Sequence, residues 1–198
     1  MRIEICGGIA SGKTTLAALC QEAGFVPQHE RFQENPFFEK FYADPEAYAF
    51  EAELTYLLQH FSQIREAVSH PRIAVDFSFA LDLAYARVSL RGSDQRTFED
   101  LLDRVIEKIA RPTLIVRLQC PSAIEFERIR ERHRSAEQRI ARSFLDAIDN
   151  EIERALESRW FANVPVHRLD SQALDFRPDG RDCGRVLEQV VAAMRTGY

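Results

Sequence analysis

The stretch GGIASGKT at residues 7–14 has the spacing G-x-x-x-x-G-K-[ST] of a phosphate-binding loop. In such a loop the backbone N–H groups point at phosphate oxygens, and glycine lets the chain turn closely around the anion. Lys13 reaches the β- and γ-phosphates, and the Thr14 hydroxyl is a ligand for Mg²⁺. We therefore predict a nucleoside triphosphate site formed by Gly7, Gly8, Ile9, Ala10, Ser11, Gly12, Lys13, Thr14 and Thr15.

The sequence around the loop fits the strand–loop–helix context that this kind of site needs. An apolar run at residues 2–6 precedes the loop, and helical periodicity that starts at Lys13 ends at Gly24. The start of that helix directs its positive dipole end at the anion. No G-x-G-x-x-G follows any predicted strand, which disfavours a dinucleotide site.

The rest of the chain alternates between predicted strands and predicted helices. Apolar runs predict strands at residues 2–6, 25–29, 72–76, 113–118 and 164–169. Apolar periodicity, prolines and charge patterns predict helices at residues 13–23, from 36, 46–69, 97–110, 122–132, 137–160 and 183–195. This order predicts an α/β fold, with a five-stranded parallel sheet and helices on both faces, in a single domain spanning residues 1–198.

Length and composition exclude several classes of protein. A chain of 198 residues with 45% hydrophobic residues buries one core without needing disulfides or a metal. A net charge of −5 and a pI near 5.6 argue against a nucleic-acid partner. No run approaches the ~18 apolar residues of a membrane span, and the start MRIEICGGIA does not fit a signal peptide. We therefore expect a cytoplasmic protein with a small-molecule partner and with neither nucleic acid nor membrane.

Two acids follow predicted strands, at the edge where parallel α/β sheets place their ligands. Asp76 comes directly after RIAV and is placed like an acid that holds Mg²⁺ directly or through water. Glu30 follows FVPQH, where it is placed to take a proton from an attacking hydroxyl. Exposed loop acids usually have no function, so the phosphate loop is the reason for assigning a function to these two.

Three arginines, Arg128, Arg132 and Arg134, form a further cluster. The first two are i, i+4 neighbours on one predicted helix face, and Arg134 lies just beyond that helix. Arginines beside a transferring phosphoryl group stabilise its negative charge. Glutamates interleave with these arginines, so a neutralised, solvated helix face is an equal alternative.

Taken together, these segments resemble the deoxynucleoside kinase family over residues 7–176. The resemblance implies ATP as the phosphate donor, Mg²⁺ as the metal, a homodimer, and transfer to the 5′-hydroxyl of a deoxyribonucleoside. Within ERFQENPFFEKFY, it makes Glu30 the general base and places Tyr42 at the 3′-hydroxyl of the sugar.

The same resemblance covers two further motifs. The acid of the family's Glu/Asp-Arg-Ser motif matches Asp76, and Asp82, farther on, is expected to contact the substrate. The family's lid motif Arg-x-x-x-Arg-x-Arg-x-x-Glu predicts a lid at about residues 128–139, and its members are Arg128, Arg132, Arg134 and Glu137. The resemblance implies that Glu137 also serves the 3′-hydroxyl.

One departure from the family pattern bears on catalysis. Phe77 stands where the Glu/Asp-Arg-Ser motif has an arginine, which the resemblance places near the phosphate and the 5′-hydroxyl. Either another arginine, with Arg31 and Arg87 as candidates, supplies that charge, or turnover is reduced or lost.

A second departure bears on the nucleobase. Glu53 stands where the family has a base-reading glutamine, and His60 stands where it has an arginine one helix face later. An ionised carboxylate only accepts hydrogen bonds, and it would accept both donors on the pairing edge of guanine. We therefore predict that the protein prefers a purine deoxynucleoside, and deoxyguanosine in particular. A protonated Glu53 in a dry pocket donates instead and weakens this argument.

Two other functions stay open. A nucleoside monophosphate kinase needs arginines in its acceptor pocket, whereas the long predicted helix offers only Arg65. A nucleotide-binding protein with weak or no catalysis is supported by Phe77. The presence of Lys13, Glu30 and Asp76 argues against it.

Overall fold

Five strands form one sheet in the computed structural model, which describes residues 1–196. They are β1 (Arg2–Cys6), β2 (Val26–Gln28), β3 (Ile73–Val75), β4 (Leu114–Gln119) and β5 (Val166–Asp170). Their order across the sheet is β2-β3-β1-β4-β5, and each neighbouring pair is parallel. The predicted five-stranded parallel sheet is confirmed. The last two positions of the predicted domain, 197 and 198, lie outside the described residues.

Helices connect successive strands or follow them. The α-helices of the described residues are α1 (Lys13–Leu19), α2 (Phe38–Ala43), α3 (Pro45–Glu66), α4 (Phe79–Ser89), α5 (Gly92–Glu107), α6 (Ser122–Glu131), α7 (Arg142–Leu156) and α8 (Cys183–Thr196). Short 3₁₀ helices occur at Cys20–Ala23, Phe32–Glu34, Ala67–Ser69 and Ser135–Arg139. Within residues 1–196, no helix has both the length and the apolar character of a membrane span.

Neighbouring residues of the strands enter two different cores. Ile73 and Val75 of β3 pack with α3, α4, α5 and α7, whereas Ala74 between them packs with α1 and α8. This alternation follows from the pleat of a strand, which sends successive side chains to opposite faces. Helices therefore cover both faces of the sheet, as predicted, and the strands are continuous apolar runs in the sequence for that reason.

Helix α4 is an element that the sequence pattern does not predict. Its start is fixed by Ser78, whose hydroxyl accepts the backbone N–H of Leu81 at 3.1 Å. Seven of its residues are buried, because it packs between α3 and α7. A helix that is buried on most sides shows no separate apolar stripe, so its periodicity is hidden.

The single helix predicted at residues 137–160 is interrupted in the structure. A 3₁₀ helix ends at Arg139, Ile140 and Ala141 are extended, and α7 begins at Arg142. The extended backbone turns Ile140 inward, where it is 7% exposed in a small core with Ile129. The buried Ile140 therefore marks the boundary between the predicted lid segment and α7.

Arg117 on β4 is a charged residue within the protein interior, with only 1% exposure. Its guanidinium donates to Asp149 and, at 2.9 Å, to Glu153, both on α7. Glu153 also accepts from the more exposed Arg168 of β5 at 2.8 Å. The Arg117 pairs therefore hold α7 against the sheet beside the predicted lid.

We expect Arg117→Ala to lower the free energy of unfolding by about 2–4 kcal/mol, because it leaves a cavity and removes buried charge-assisted hydrogen bonds. Arg168→Ala is the matched control. It removes an exposed partner of the same Glu153 and should cost less than about 1 kcal/mol. Urea unfolding of the two variants measures the difference, and equal losses would contradict a structural role for the buried pair.

Candidate active site

The phosphate loop joins β1 to α1 in a conformation that depends on glycine. Gly12, directly before α1, has a φ of 103°, which glycine adopts without steric cost. A Cβ atom on Gly8 would lie only 2.2 Å from Oε1 of Glu125. The Lys13 ammonium donates to the carbonyl oxygens of Gly7 at 3.0 Å and of Gly8 at 2.8 Å, so it lies against the loop itself.

A cavity of ≈ 520 Å³ extends from this loop to helices α3 and α4. The predicted site residues that line it are Ile9, Ala10, Gly12, Lys13, Thr14, Thr15, Glu30, Tyr42, Glu53, Asp76, Asp82, Arg128, Arg132, Arg134 and Glu137. Of the other predicted residues, Gly7, Gly8 and Ser11 are buried in the loop, and His60 is buried behind the cavity wall. The fold thus gathers residues from five separate stretches of sequence around one space.

Asp76 connects the ends of two strands. Its Oδ1 accepts the backbone N–H of Glu30 at 2.6 Å, and its Oδ2 lies 3.1 Å from Nδ1 of His29. Asp76 follows β3 and Glu30 follows β2, and these strands are neighbours in the sheet. Both acids therefore line the same cavity as Lys13, at the sheet edge where they were expected.

Glu30 has its carboxylate directed at the cavity and paired on its inner side. Its Oε1 lies 3.2 Å from Nε2 of His60, and its side chain is 34% exposed. Burial by itself raises the pKa of Glu30, but the close ion pair with His60 and the charges of Lys13 and Arg134 lower it overall. The carboxylate is therefore ionised at neutral pH and available to accept a proton.

His60 is the cation next to Glu30. Its Nδ1 lies 3.0 and 2.9 Å from the two carboxylate oxygens of Asp82, and its ring stacks on Phe77 with centroids 4.1 Å apart. Burial lowers the pKa of His60, but Asp82 and Glu30 outweigh burial and raise it to about 10. His60 is thus an imidazolium at neutral pH, held between two carboxylates.

The arginines expected to replace the missing motif arginine lie elsewhere. Arg31 pairs with Glu66 at 3.1 Å on the surface. Arg87 donates to Glu99 at 3.3 Å and lies over the ring of Trp160. Neither arginine lines the cavity, so the expectation that one of them supplies the charge is wrong.

Glu137 organises the predicted lid segment. Its buried carboxylate accepts from Arg132 Nε at 2.7 Å and from Arg134 Nη1 at 3.4 Å. The Arg134 guanidinium also lies 4.4 Å from the ring centroid of Phe32. Burial, with the charge of Glu137 next, raises the pKa of Tyr42, so this phenol stays protonated and can donate a hydrogen bond.

Arg128 has only uncharged partners among the described residues. It donates to the carbonyl oxygens of Ala10 at 3.3 Å and Ser171 at 3.0 Å, and its Nη1 lies 3.6 Å from the Cys120 sulfur. Arg128, Arg132 and Arg134 all line the cavity. The alternative of a solvated, neutralised helix face is therefore disfavoured.

Glu53, on α3, lines the same cavity as the phosphate loop. Its side chain is 4% exposed, and burial, followed by the charge of Asp82, raises its pKa well above the usual range. Glu53 is therefore neutral in this structure and presents a donor as well as an acceptor. An ionised Glu53 was the reason for expecting a deoxyguanosine preference, and burial removes that reason.

Two tyrosines of the cavity wall are absent from the sequence-based set. Tyr56 lies three residues after Glu53 on α3, and Tyr85 lies three residues after Asp82 on α4. Residues at this spacing share a helix face. The spacing is the signal that identifies Tyr56, whereas Tyr85 requires α4 to be known.

Glu125 of α6 lies behind the phosphate loop rather than in the cavity. It is 2% exposed, and its Oε1 has no hydrogen-bond partner within the described part of the chain. Burial raises the pKa of Glu125 to about 7, although Lys13 opposes the shift. A buried carboxyl group that lies against the backbone of Gly8 therefore titrates close to neutral pH.

A phosphate loop after the first strand of a parallel sheet, with an ionised carboxylate and arginines in one cavity, defines a phosphate-loop kinase. The comparison with family models gives the particular family. The model described as "Deoxynucleoside kinase" matches residues 3–195, and the chain belongs to the deoxynucleoside kinase family. The chain is thus a kinase that phosphorylates nucleosides.

Curated relatives agree with this assignment, and a solved structure matches the fold. The chain is 26% identical to a deoxyguanosine kinase of Bacillus subtilis over 197 residues, 95% of each chain. It is 28% identical to a deoxyadenosine kinase of Dictyostelium discoideum over 177 residues, 85% of this chain and 71% of the relative. The fold matches a deoxyadenosine kinase structure from M. mycoides with bound dCTP at a TM-score of 0.80 and 21% identity, covering 99% of this chain and 100% of that one.

We expect Glu125→Gln to flatten the dependence of stability on pH. Between the ordinary glutamate pKa and about 7, the folded chain holds a proton that the unfolded chain has released, so stability falls as pH rises through this window. The glutamine side chain does not titrate, so the variant should not show this loss of stability, which is on the order of 1.4 kcal/mol per unit of pKa shift. Thermal melting at pH 5 and pH 8 measures it, with Glu127→Gln on the exposed side of α6 as control. An unchanged pH dependence in Glu125→Gln would contradict the shift.

Proposed function

We propose that this kinase transfers the γ-phosphoryl group of ATP to the 5′-hydroxyl of a purine deoxyribonucleoside, with Glu30 as the general base. The observation that carries the proposal is the position of Glu30. Its ionised carboxylate lines one cavity together with Lys13 of the phosphate loop and Glu53 of α3. A nucleoside in the deep part of this cavity presents its 5′-hydroxyl between Glu30 and the triphosphate.

The donor half of the cavity suits a triphosphate with Mg²⁺. The Thr14 hydroxyl and the Asp76 carboxylate are hard oxygen ligands that line the cavity together with Lys13. Mg²⁺ in kinase sites is held by one or two protein ligands, the phosphates and water, so this pair fits the ion. When bound, Mg²⁺ neutralises charge on the phosphates. The loop amides and Lys13 orient the γ-phosphorus toward Glu30.

The transfer step then balances around Glu30. Its carboxylate takes the proton of the 5′-hydroxyl, and the 5′-oxygen forms a bond to the γ-phosphorus. The bond from that phosphorus to the β–γ bridging oxygen breaks. ADP is the leaving group, and the loop holds its phosphates during the transfer. Arg128 carries no carboxylate partner among the described residues, so its charge is available to the transferring group.

The segment at about residues 128–139 acts as a lid in this proposal. Glu137 holds Arg132 and Arg134 in one cluster and, beside Tyr42, is placed to accept from the 3′-hydroxyl of the sugar. Closure over the substrate would bring the arginines to the phosphates and exclude water. The family resemblance further supports a homodimer in the cytoplasm.

The base end of the cavity favours a nucleobase with an adjacent donor and acceptor. A neutral Glu53 donates one hydrogen bond and accepts another, as a glutamine does. This pattern matches the pairing edges of both adenine and guanine. The choice of a purine is supported by the relatives, which include deoxyguanosine and deoxyadenosine kinases.

The acceptor half of the cavity argues against a nucleoside monophosphate as substrate. The polar side chains that α2, α3 and α4 contribute to the cavity are Tyr42, Glu53, Tyr56, Asp82 and Tyr85, which are acids and phenols, whereas its arginines come from residues 128–134. A phosphate on the acceptor would meet the ionised Glu30. A nucleoside, which is uncharged at this position, avoids the repulsion.

The test is transfer of labelled γ-phosphate from ATP and Mg²⁺ to the four deoxynucleosides and to their monophosphates. We expect transfer to a purine deoxynucleoside and a loss of at least about a hundredfold in Glu30→Gln, as for removal of a general base. Lys13→Ala should lose activity and triphosphate affinity, whereas Lys40→Ala, which removes an exposed side chain of α2, should match the wild type. Transfer only to a monophosphate would overturn the proposal, and so would bound ATP without any transfer.

Glu53→Gln should leave the ranking of the four nucleobases unchanged and alter kcat/KM by no more than about threefold, because a neutral acid and an amide offer the same donor and acceptor. Glu53→Leu removes both groups and should cost about 10- to 100-fold. Competition between pairs of deoxynucleosides measures the ranking. A changed ranking in Glu53→Gln would show that an ionised carboxylate reads the base.

A further inference from the structure

We propose that His60 is a positioning residue whose imidazolium, held by Asp82 and stacked on Phe77, pairs with the carboxylate of Glu30 and orients it as the base. The proposal rests on the proposed function of Glu30. It assigns to His60 a role toward the reacting hydroxyl rather than toward the nucleobase. It also gives Phe77, which departs from the family motif, a part in the site.

The geometry defines a chain of three side chains from the interior to the cavity. Asp82 places both carboxylate oxygens within 3.0 Å of Nδ1 of His60, which fixes the ring and its proton on that side. The opposite nitrogen, Nε2, lies 3.2 Å from Oε1 of Glu30. Glu30 is the one member of this chain that is substantially exposed, at 34%, while His60 and Asp82 are 2% and 6% exposed. The inner pair therefore holds the outer carboxylate.

Phe77 completes the environment of the ring. Its side chain is 1% exposed and lies parallel to His60, with an interplanar angle of 7°. The face of an aromatic ring attracts a cation, and the covered face of His60 is kept from water. On α3 itself, Tyr56 lies 5.9 Å away, ring centroid to centroid. A dry site strengthens the attraction between His60 and its two carboxylates.

Among the described residues, His60 is the cation that contacts Glu30. Lys13 and Arg134 also lower the pKa of Glu30, but Lys13 donates to carbonyl oxygens of the loop and Arg134 donates to Glu137. The other titratable groups that face Glu30, with pKa values raised, are Tyr42, Glu53, Tyr56, Asp82 and Tyr85. Without His60, Glu30 and Asp82 would be two like charges in a half-dry pocket, which favours protonation of one of them.

This arrangement accounts for the chain's departure at Phe77. The motif arginine would supply a cation from the end of β3, whereas here a cation comes from α3 and a flat apolar ring occupies the motif position. Arg31 and Arg87 cannot take this role because they are paired outside the cavity. Loss of the arginine is thus compatible with an active base.

The first test is the pH dependence of kcat/KM in His60→Gln. Loss of the cation should move the acidic limb up by about one pH unit or more and lower kcat at pH 7 by at least about tenfold. His60→Arg keeps a permanent cation and should return the limb toward its wild-type position. His70→Gln, on the surface after α3, is the control and should leave the profile unchanged. An active His60→Gln with an unshifted limb would overturn the proposal.

A second measurement needs no variant to fold. Nuclear magnetic resonance of ¹³C-labelled histidine in the wild type reports the charge of His60, and its signal is assigned from the proximity of its ring to that of Phe77. We expect the ring to stay protonated from pH 5 to pH 8, consistent with a pKa of about 10. Titration near 6.5 would overturn the proposal. If the wild type transfers to no nucleoside, the proposed function fails, and this titration still decides the charge of His60.

Discussion

Strand β3 lies between β1 and β2, so the phosphate loop, Glu30 and Asp76 leave the sheet side by side. The hydrogen bond from the Glu30 backbone to Asp76 fixes this arrangement at 2.6 Å. Ligands of parallel α/β sheets bind at this edge because the strand ends and helix starts converge there. The donor loop and the base are therefore positioned by backbone topology, whereas α3, α4 and the lid segment supply the walls that define the acceptor.

The second organising factor is the distribution of buried charge. Glu53 is neutral because burial and Asp82 raise its pKa, whereas Glu30 is ionised because His60 pairs with it. Two carboxyl groups within one cavity thus take different protonation states, one suited to hydrogen bonding with a base and one to accepting a proton. Glu125 follows the same rule behind the phosphate loop, where burial raises its pKa to about 7 and its Oε1 has no hydrogen-bond partner among the described residues.

Much of the fold and of the cavity can be predicted from the sequence, because the signals are local. The loop at residues 7–14 and the apolar strands indicate the sheet, and the acids after two strands lie where strand ends converge. Helix α4 is hidden because it is buried on most sides, and the break at Ile140 depends on one side chain turning inward. The pairing of His60 with Glu30 joins α3 to the end of β2, and no spacing within either segment shows that contact.

In the proposed reaction, one cavity aligns a nucleoside 5′-hydroxyl between Glu30 and a triphosphate on the loop. The most direct measurement is a crystal structure with Mg²⁺, a non-hydrolysable ATP analogue and deoxyguanosine or deoxyadenosine. We expect the 5′-oxygen within hydrogen-bond distance of the Glu30 carboxylate and in line with the γ-phosphorus, with the base against Glu53. A nucleoside whose 5′-oxygen points away from Glu30, or a triphosphate bound anywhere other than on the loop, would contradict it.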